Sequence, residues 1–320
     1  MVLDAVGPSV VIPNWNGLRW LPACLESLAA QELAPAEVIV VDNGSGDASL
    51  EYLRSEHPEV RVIEMGSNTG FAVAANRGLE AAGGELVALV NTDVVLEPDW
   101  LRRMAGALAA NPQAASVTGK MLDLADRRYV YDAGDVLRRD GACDQRGRFL
   151  IDDGRWDAPG EVFGACAGAA VYRRSVVLGA GGFDERYFAY LEDVDLALRL
   201  RLGGWRCRYE PAVALHAGEG SSHQLPGAHH YLVQRNTLLL VAKAFDVRWL
   251  GLVAYRQLSW LREAARERRL GLFLRATAAG VWLAAGVALR GERRALRAAA
   301  RVPMSEAIPA AAIRRPARSR

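Results

Sequence analysis

Leu86-Val87-Ala88-Leu89-Val90-Asn91-Thr92-Asp93 is the stretch that decides the fold of this chain, because five apolar residues end there at an amide and a carboxylate. A short apolar run without polar alternation predicts a strand buried on both faces, as in a parallel sheet covered by helices. Residues 38–41 form a second run of this kind and end at Asp42. Ligands of open α/β sheets bind at the carboxyl ends of the strands, so the two acidic ends predict a ligand site there.

Strand-like and helix-like segments alternate around these two runs, from residue 9 to about residue 115. We predict strands at 10–12, 38–41, 60–64 and 86–90, and helices at 18–30, 48–56, 71–82 and 98–110. This order is typical of an α/β fold in which a mostly parallel sheet is flanked by helices.

The rest of the chain divides into two further stretches. Residues 116–240 carry short strand-like runs among loops rich in glycine and aspartate, and then predict a helix at 194–202 and strands at 207–209 and 212–215. We interpret this stretch as the second half of the same domain. Residues 241–320 predict a helical, arginine-rich extension whose tail after Pro303 is disordered.

Composition and charge set only broad limits. The chain has 320 residues and a net charge of +2, which gives no indication of a nucleic-acid partner. The charge is uneven, since residues 262–320 contain 14 arginines against 4 glutamates. The four cysteines form no CxxC pair, which argues against a zinc knot and is compatible with a reducing compartment. We expect no signal peptide and no clean membrane span, because the best candidate, residues 270–289, carries Arg275.

Polar clusters at the ends of further elements suggest chemistry. Asn91 and Asp93 alternate at a strand end and therefore share a face, where their oxygens can bind a divalent cation. A capped turn before the next helix would also explain them. Glu192-Asp193-Val194-Asp195 opens a predicted helix, where acidic residues are favoured, and the helix dipole alone explains Asp195.

The order of these parts resembles the inverting glycosyltransferases of family 2, which have the GT-A fold, and most closely the rhamnosyltransferase-like members. The resemblance covers roughly residues 9–240. Asp42 with Asn43-Gly44-Ser45-Gly46-Asp47 is similar to the family's acidic strand end, and Asn91-Thr92-Asp93 resembles its Asp-x-Asp motif with asparagine in the first position. The run from Phe183 to Asp195 resembles the family's Phe-Asp-Glu … Glu-Asp-x-Asp stretch, and His216 precedes a matching Gly- and Ser-rich segment.

The resemblance implies a role for each of these positions. Asp193, with Glu192 beside it, would take a proton from the acceptor hydroxyl. Asp93 and His216 would bind Mg²⁺ or Mn²⁺, which neutralises the leaving diphosphate. The residues expected to bind the nucleotide sugar are Pro13, Asn14, Trp15, Asp42, Asn68, Gly70, Asn76, Asn91, Thr92 and Gly168. For Asn68, Gly70 and Asn76, a diphosphate site at a helix N-terminus and an ordinary helix cap are equally compatible with the sequence.

The function that the resemblance implies is transfer of a sugar, with rhamnose the leading expectation, from a nucleoside-diphosphate sugar to a glycan or lipid-linked glycan in cell-envelope polysaccharide synthesis. Residues 1–115 would bind the donor, and residues 116–240 would bind the acceptor and carry the catalytic acid pair. Two alternatives stay open, a nucleotidyltransferase and a non-catalytic glycan-binding protein on the same fold. A nucleotidyltransferase would normally have a glycine-rich basic loop after the first strand, and residues 13–19 do not form one. A dinucleotide oxidoreductase is disfavoured because no GxGxxG follows a strand.

The C-terminal stretch allows two interpretations. Residues 250–289 are apolar but interrupted by arginines, which suits helices that lie on a membrane surface. A helical extension packed on the catalytic domain or on a partner subunit would show the same pattern. We expect a cytoplasmic enzyme and, under the first of these two interpretations, one in peripheral contact with the inner face of the cytoplasmic membrane.

Overall fold

The structure is a computed structural model, and it describes residues 7–218 and 226–308. Four parallel strands form its first half, joined in the order β3-β2-β1-β4. They are β1 (Ser9–Asn14), β2 (Glu37–Asp42), β3 (Arg61–Glu64) and β4 (Leu86–Val90). The helices between and after them are α1 (Leu21–Ala29), α2 (Ser49–Glu56), α3 (Phe71–Ala81) and α4 (Trp100–Ala109). Each of the eight predicted elements is present, with ends that differ by up to three residues.

Both faces of the parallel strands are buried. Val11, Ile39 and Leu89 pack on one face together with residues of α3. Val10, Val40 and Val90, which are their neighbours along the strands, pack on the other face with α1 and α4. Successive strand residues point to opposite faces, so two apolar layers require apolar residues at every position. This is the reason for the unbroken apolar runs that the sequence shows.

The second half extends the same sheet but is mixed. Its strands are β5 (Val94–Leu96), β6 (Ala114–Asp123), β7 (Val130–Asp132), β8 (Asp135–Leu137), β9 (Cys143–Gln145), β10 (Gly160–Val162), β11 (Ala169–Arg173) and β12 (Arg206–His216). The sheet continues from β4 through β11, β6 and β12 to β10, while β8 and β9 form a separate hairpin. β11 is antiparallel to both of its neighbours, and β12 is parallel to β6. Helices α5 (Arg174–Gly179) and α6 (Glu192–Leu202) complete this half.

One prediction for this half is wrong in its boundaries. The two predicted strands at 207–209 and 212–215 form the single strand β12, whose register against β6 shifts between Tyr209 and Val213. Pro211 lies in this interval and has no N–H to donate to the ladder, so the pairing is interrupted there although the strand continues.

The C-terminal helices are α7 (Ala228–Ala244), α8 (Leu250–Arg266), α9 (Leu270–Leu289), α10 (Glu292–Ala299) and α11 (Met304–Ala307). The predicted division at residue 240 falls inside α7, which packs along α9. The side-chain amide of Asn236 in α7 donates to the carbonyls of Tyr187, Ala189 and Tyr190, so α7 also holds the loop before α6. Among the described helices, α9 alone has the length and apolar composition for a membrane crossing, with a mean hydropathy of 1.7 and 17% of that window buried.

The prediction of a disordered tail after Pro303 is wrong for its first residues. Met304, Ala307 and Ile308 are buried in the core formed by α6 and α7. Arg201 donates to the Ala307 carbonyl over 3.0 Å, and Arg139 donates to the Ile308 carbonyl over 3.1 Å. Three apolar side chains and these backbone contacts are enough to order the segment. The predicted disorder of residues 309–320 lies outside the described residues.

Candidate functional site

A large cavity of about 1390 Å³ opens at the carboxyl ends of β1 and β4. Twelve of the fourteen residues predicted for the site line this cavity, and Asp42 and Asn76 do not. The twelve are Pro13, Asn14, Trp15, Asn68, Gly70, Asn91, Thr92, Asp93, Gly168, Glu192, Asp193 and His216. The fold therefore collects segments that are up to 200 residues apart in sequence into one concave surface, as expected where ligands bind at strand ends.

Asp42 is one of the two residues that do not line the cavity. It is buried opposite Asn14 in the register of β1 and β2. Its Oδ1 accepts a hydrogen bond from Asn14 Nδ2 over 2.9 Å, and its Oδ2 accepts from the Ser45 amide over 3.0 Å. Asp42 thus orients Asn14, which reaches the cavity. The next residue, Asn43, lines the cavity instead and binds Asn68 and the Gly70 carbonyl, a contact that the sequence did not reveal.

Asn76 is the other residue outside the cavity. Its side-chain amide accepts from the Phe183 amide and donates to the Phe183 carbonyl, both over 2.8 Å. These two bonds tie α3 to the segment that leads to α6. The N-terminus of α3 is also engaged, because the Ala72 amide donates to the Phe188 carbonyl over 3.2 Å. The Ala72 amide is therefore not offered to a diphosphate, while the role of Asn68 and Gly70 stays a prediction.

The residues after β4 meet His216 at the end of β12. Asp93 is buried, and its Oδ2 lies 3.6 Å from His216 Nε2. The His216 ring stacks on Tyr131, with 4.0 Å between ring centroids. The backbone amide of Asn91 donates a hydrogen bond to the Gly168 carbonyl over 2.8 Å. This bond brings the run of small residues before β11 close to Asp93 and His216. Tyr131 is a contact that no pattern in the sequence indicates.

The Asp93 and His216 pair fits a divalent cation. Asp93 Oδ2 is buried and has no hydrogen-bond partner within the described part of the chain, which is costly for a carboxylate unless a cation is bound. Carboxylate oxygen and imidazole nitrogen are both suitable ligands for Mn²⁺. His216 Nδ1 now accepts from the Gly218 amide over 2.8 Å. Binding through Nε2 would move the ring proton to Nδ1, so the Gly218 amide would have to turn away.

A second group of three potential metal ligands lies nearby. Asp132, Asp135 and Cys166 each offer a ligand atom within 4.8 Å of the others. Burial, together with the charges of Asp193, Asp132 and Glu192, raises the pKa of Asp135. Burial also raises the pKa of the Cys166 thiol. The raised pKa values make the loss of protons that metal binding needs less favourable, and a thiol is a soft ligand that does not suit Mg²⁺ or Mn²⁺. This set fits those cations less well than Asp93 and His216 do.

The acidic residues at the start of α6 differ from one another in their surroundings. Asp193 is half-buried on the cavity wall, where it accepts from the Ala167 and Val194 amides over 3.2 and 2.8 Å. Burial raises the pKa of Asp193 above its ordinary value, and the hydrogen bonds from these two amides reduce this rise without cancelling it. Glu192 is buried without a hydrogen bond to its Oε2, and burial and the charge of Asp193 raise its pKa well above the ordinary value.

Asp195 belongs to a structural ion network. It contacts Arg199 over 2.7 Å and Lys243 over 2.5 Å. Burial alone would raise the pKa of Asp195, but these two cations lower it below its ordinary value. Lys243 also contacts Asp184, so the network joins α6 and α7.

The backbone before the acid pair is strained. Phe188, Tyr190 and Leu191 have φ values of 66°, 69° and 69°, a region that residues with a side chain rarely adopt. Such strain persists only where surrounding contacts enforce it, and it concentrates at functional sites. Here Asn236 and Arg235 supply the contacts through hydrogen bonds to the carbonyls of this loop.

The chain belongs to glycosyl transferase family 2, whose sequence profile matches residues 9–178. A relative from Mycobacterium tuberculosis, N-acetylglucosaminyl-diphospho-decaprenol L-rhamnosyltransferase, is 29% identical over 291 aligned residues, which cover 81% of this chain and 94% of that protein. The pre-mycofactocin glycosyltransferase of the same species is 32% identical over 218 residues, covering 64% of this chain and 42% of that protein. The predicted family is confirmed, and the match argues against a nucleotidyltransferase.

Solved structures confirm the predicted GT-A fold. The mannosyltransferase PcManGT from Pyrobaculum calidifontis, in complex with GDP-Man and Mn²⁺, has a TM-score of 0.54 at 19% identity, covering 96% of this chain and 85% of that one. GalNAc-T7 with UDP, GalNAc and Mn²⁺ has a TM-score of 0.61 at 15% identity, covering 77% of this chain and 49% of that one. The fold is thus shared with glycosyltransferases whose sequences differ widely.

Proposed function

We propose that this chain is a metal-dependent inverting glycosyltransferase that moves L-rhamnose from a nucleoside-diphosphate donor to a lipid-linked glycan. One observation carries the proposal: Asp193 lines the same cavity as the Asp93 and His216 pair. A base in the same cavity as a cation site supports sugar transfer with inversion, because the base can activate the acceptor and a cation can stabilise the leaving diphosphate. The sugar and the acceptor class follow the name of the mycobacterial relative that matches most of this chain.

The donor would bind in the half of the cavity formed by residues 1–115. Asn14, Trp15, Asn68 and Gly70 would contact the nucleoside, with Asp42 and Asn43 orienting Asn14 and the Asn68 loop. Asn91, Thr92 and Gly168 would contact the diphosphate and sugar. Asp93 and His216 would hold Mg²⁺ or Mn²⁺, which when bound neutralises charge on the leaving diphosphate.

The acceptor would bind in the half formed by residues 116–240. Asp193 would take the proton from the acceptor hydroxyl as its oxygen bonds to the sugar and the bond to the diphosphate breaks. Its raised pKa favours proton capture near neutral pH. Glu192 is the weaker candidate for the base, because burial and the charge of Asp193 raise its pKa well above the ordinary value and so favour its protonated form. Arg146, Arg148 and Arg155 also line this half and suit an acceptor that carries phosphate.

We also propose that the enzyme works in the cytoplasm, because all four cysteines are free thiols. The test of function is a thermal-shift screen of nucleotide sugars with and without Mn²⁺, followed by donor hydrolysis and transfer assays. We expect one nucleoside-diphosphate sugar to stabilise the protein only when Mn²⁺ is present. Stabilisation by a glycan without any nucleotide sugar, and no turnover, would instead support the non-catalytic glycan-binding alternative.

A further inference from the structure

We propose that α8 and α9 form a surface that lies in the headgroup region of an anionic membrane and delivers the acceptor to the cavity from there. The identity of the acceptor rests on the proposed function, but the surface does not. Four independent features of the described residues carry the inference: an exposed apolar face, its flanking charges, the packing of the opposite face, and a second cavity.

The outer face of α9 is apolar and exposed. Leu274, Val281, Trp282 and Leu289 have exposed fractions of 53%, 56%, 76% and 88%. Their spacing of seven, one and seven residues puts them on one side of the helix. The buried residues Ala276, Gly280 and Val287 lie on the other side. Isolated exposed apolar side chains are common, but a contiguous row of large ones indicates an interaction surface.

α8 has an exposed apolar side of the same kind. Leu252, Tyr255 and Leu258 are all more than half exposed and recur every three residues. The buried residues of α8, Val253 and Ala264, lie on its opposite side. Two consecutive helices with large exposed apolar side chains are typical of a protein that inserts one face into the interface of a membrane.

The charges around the outer face favour lipid over a second copy of the chain. α9 contains no acidic residue, and its one charged residue is Arg275. Arg268 and Arg269 precede it, and Arg290 follows it. Because Arg269 contacts Glu267 and Arg290 contacts Glu292, Arg268 and Arg275 contribute most of the excess positive charge. Anionic headgroups would attract these side chains, by about fivefold in binding for each arginine at the surface. Two copies packed through this face about a two-fold axis would bring arginines of like charge together.

The packing of the inner face argues against a membrane crossing by α9. A Cβ on Gly280 would lie 2.8 Å from the Arg235 carbonyl oxygen, so α9 touches the backbone of α7. Thr277 accepts a hydrogen bond from the buried Gln234 of α7 over 3.0 Å. A crossing orientation would separate the helices and leave Gln234 in lipid without this partner, at a high cost. The helix therefore lies in the plane of the membrane.

A second cavity lies between the inner sides of α8 and α9 and the site. It has a volume of about 230 Å³ between α7, α8 and α9, and its wall includes Leu272 and Phe273. His229, Val233 and Trp260 line both this cavity and the catalytic cavity. The two spaces thus share a wall next to the membrane-facing helices. An acceptor with an apolar lipid tail could keep its tail at the helices while its sugar reaches Asp193.

The test uses the full chain and vesicles of phosphatidylcholine, with or without phosphatidylglycerol, in a flotation assay. We expect flotation with the anionic vesicles. Val281→Glu together with Trp282→Glu should lower vesicle binding at least about tenfold, because two large apolar side chains no longer enter the interface. Ile151→Glu is the matched control, since Ile151 is 59% exposed on the catalytic domain, and it should change nothing.

Donor hydrolysis separates this inference from the proposed function. The Val281→Glu/Trp282→Glu variant should keep wild-type hydrolysis of the donor in solution, so a failure of catalysis and a failure of docking are distinguishable. Unchanged flotation of this variant would overturn the inference. A protein that resists extraction at alkaline pH would show that α9 crosses the membrane, which also overturns it. So would a dimer in solution that the variant separates without loss of flotation.

Discussion

Two aspartates of α6, two residues apart, should respond in opposite ways to the same substitution. Asp193→Asn keeps the size of the side chain but removes the base. We expect turnover to fall at least about 10²-fold, or about 2.7 kcal/mol of transition-state stabilisation. Stability should fall by only about 1 kcal/mol, because the Ala167 and Val194 amides donate to different oxygens of Asp193 and the asparagine oxygen can still accept from one of them.

Asp195→Asn should instead act on stability. Asp195 is 2% exposed and compensates Arg199 and Lys243 within the core that joins α6 and α7. Removing one partner of a buried ion pair costs about 3–5 kcal/mol, and the lower end applies here because Lys243 keeps its contact with Asp184. For a chain of 320 residues, about 3 kcal/mol corresponds to a fall in Tm of roughly 4–5 °C.

The assay measures turnover at saturating donor and acceptor, with Tm and the guanidinium midpoint of the same preparations. The reasoning is refuted if Asp193→Asn retains more than about a tenth of wild-type turnover, since Glu192 would then be the base. It is also refuted if Asp195→Asn abolishes turnover while Tm stays within a degree or so of wild type.

Three further predictions follow from the site and its support. Excess EDTA should abolish transfer and Mn²⁺ should restore it. The Asp93→Ala variant should stay folded but should no longer gain thermal stability from Mn²⁺. Full activity in EDTA would exclude the metal role. Turnover should rise with pH along a limb that lies above the range of an ordinary aspartate, because burial raises the pKa of Asp193 and the base works only when ionised; a flat profile through acid pH would contradict this assignment. Gly70→Ala should destabilise the protein by more than about 2 kcal/mol, because its Cβ would lie 2.5 Å from the Phe188 carbonyl oxygen. Gly66→Ala is the control and should cost only about 1 kcal/mol, because Gly66 also has a positive φ but has open space around it. Equal effects in chemical denaturation would show that the Phe188 contact is unimportant.

The parallel half of the fold follows from the sequence because its signals are local. An apolar run between 86 and 90 must be buried on both faces, and an Asp or Asn at its end must leave the core, so strand, burial and site edge are specified together. The same holds for Glu37–Asp42. The expected site residues and function came from the family resemblance. It rests on the shared order of Asp42, Asn91-Thr92-Asp93, Glu192-Asp193 and His216 along the chain.

The sequence could not show which contacts chemically identical side chains make. Asp42 and Asp93 both end apolar strands, yet the register of β1 and β2 gives Asp42 two hydrogen bonds inside the structure while Asp93 faces His216 without one. Asp193 and Asp195 are neighbours on α6, yet one turns toward the cavity and the other toward Lys243, which lies 48 residues away in sequence.

The sequence by itself determined the class of fold, the strand ends that carry the polar groups and the apolar, arginine-rich character of the C-terminal helices, because each depends on residues close together in the chain. Only the tertiary structure decided that Asp42 and Asn76 support the cavity from behind, that Asp132 and Asp135 lie beside the acid pair, and that residues 304–308 are ordered. These outcomes depend on hydrogen bonds and packing between segments that are distant in sequence. The type of a carboxylate or amide residue does not specify which distant residue becomes its hydrogen-bond partner.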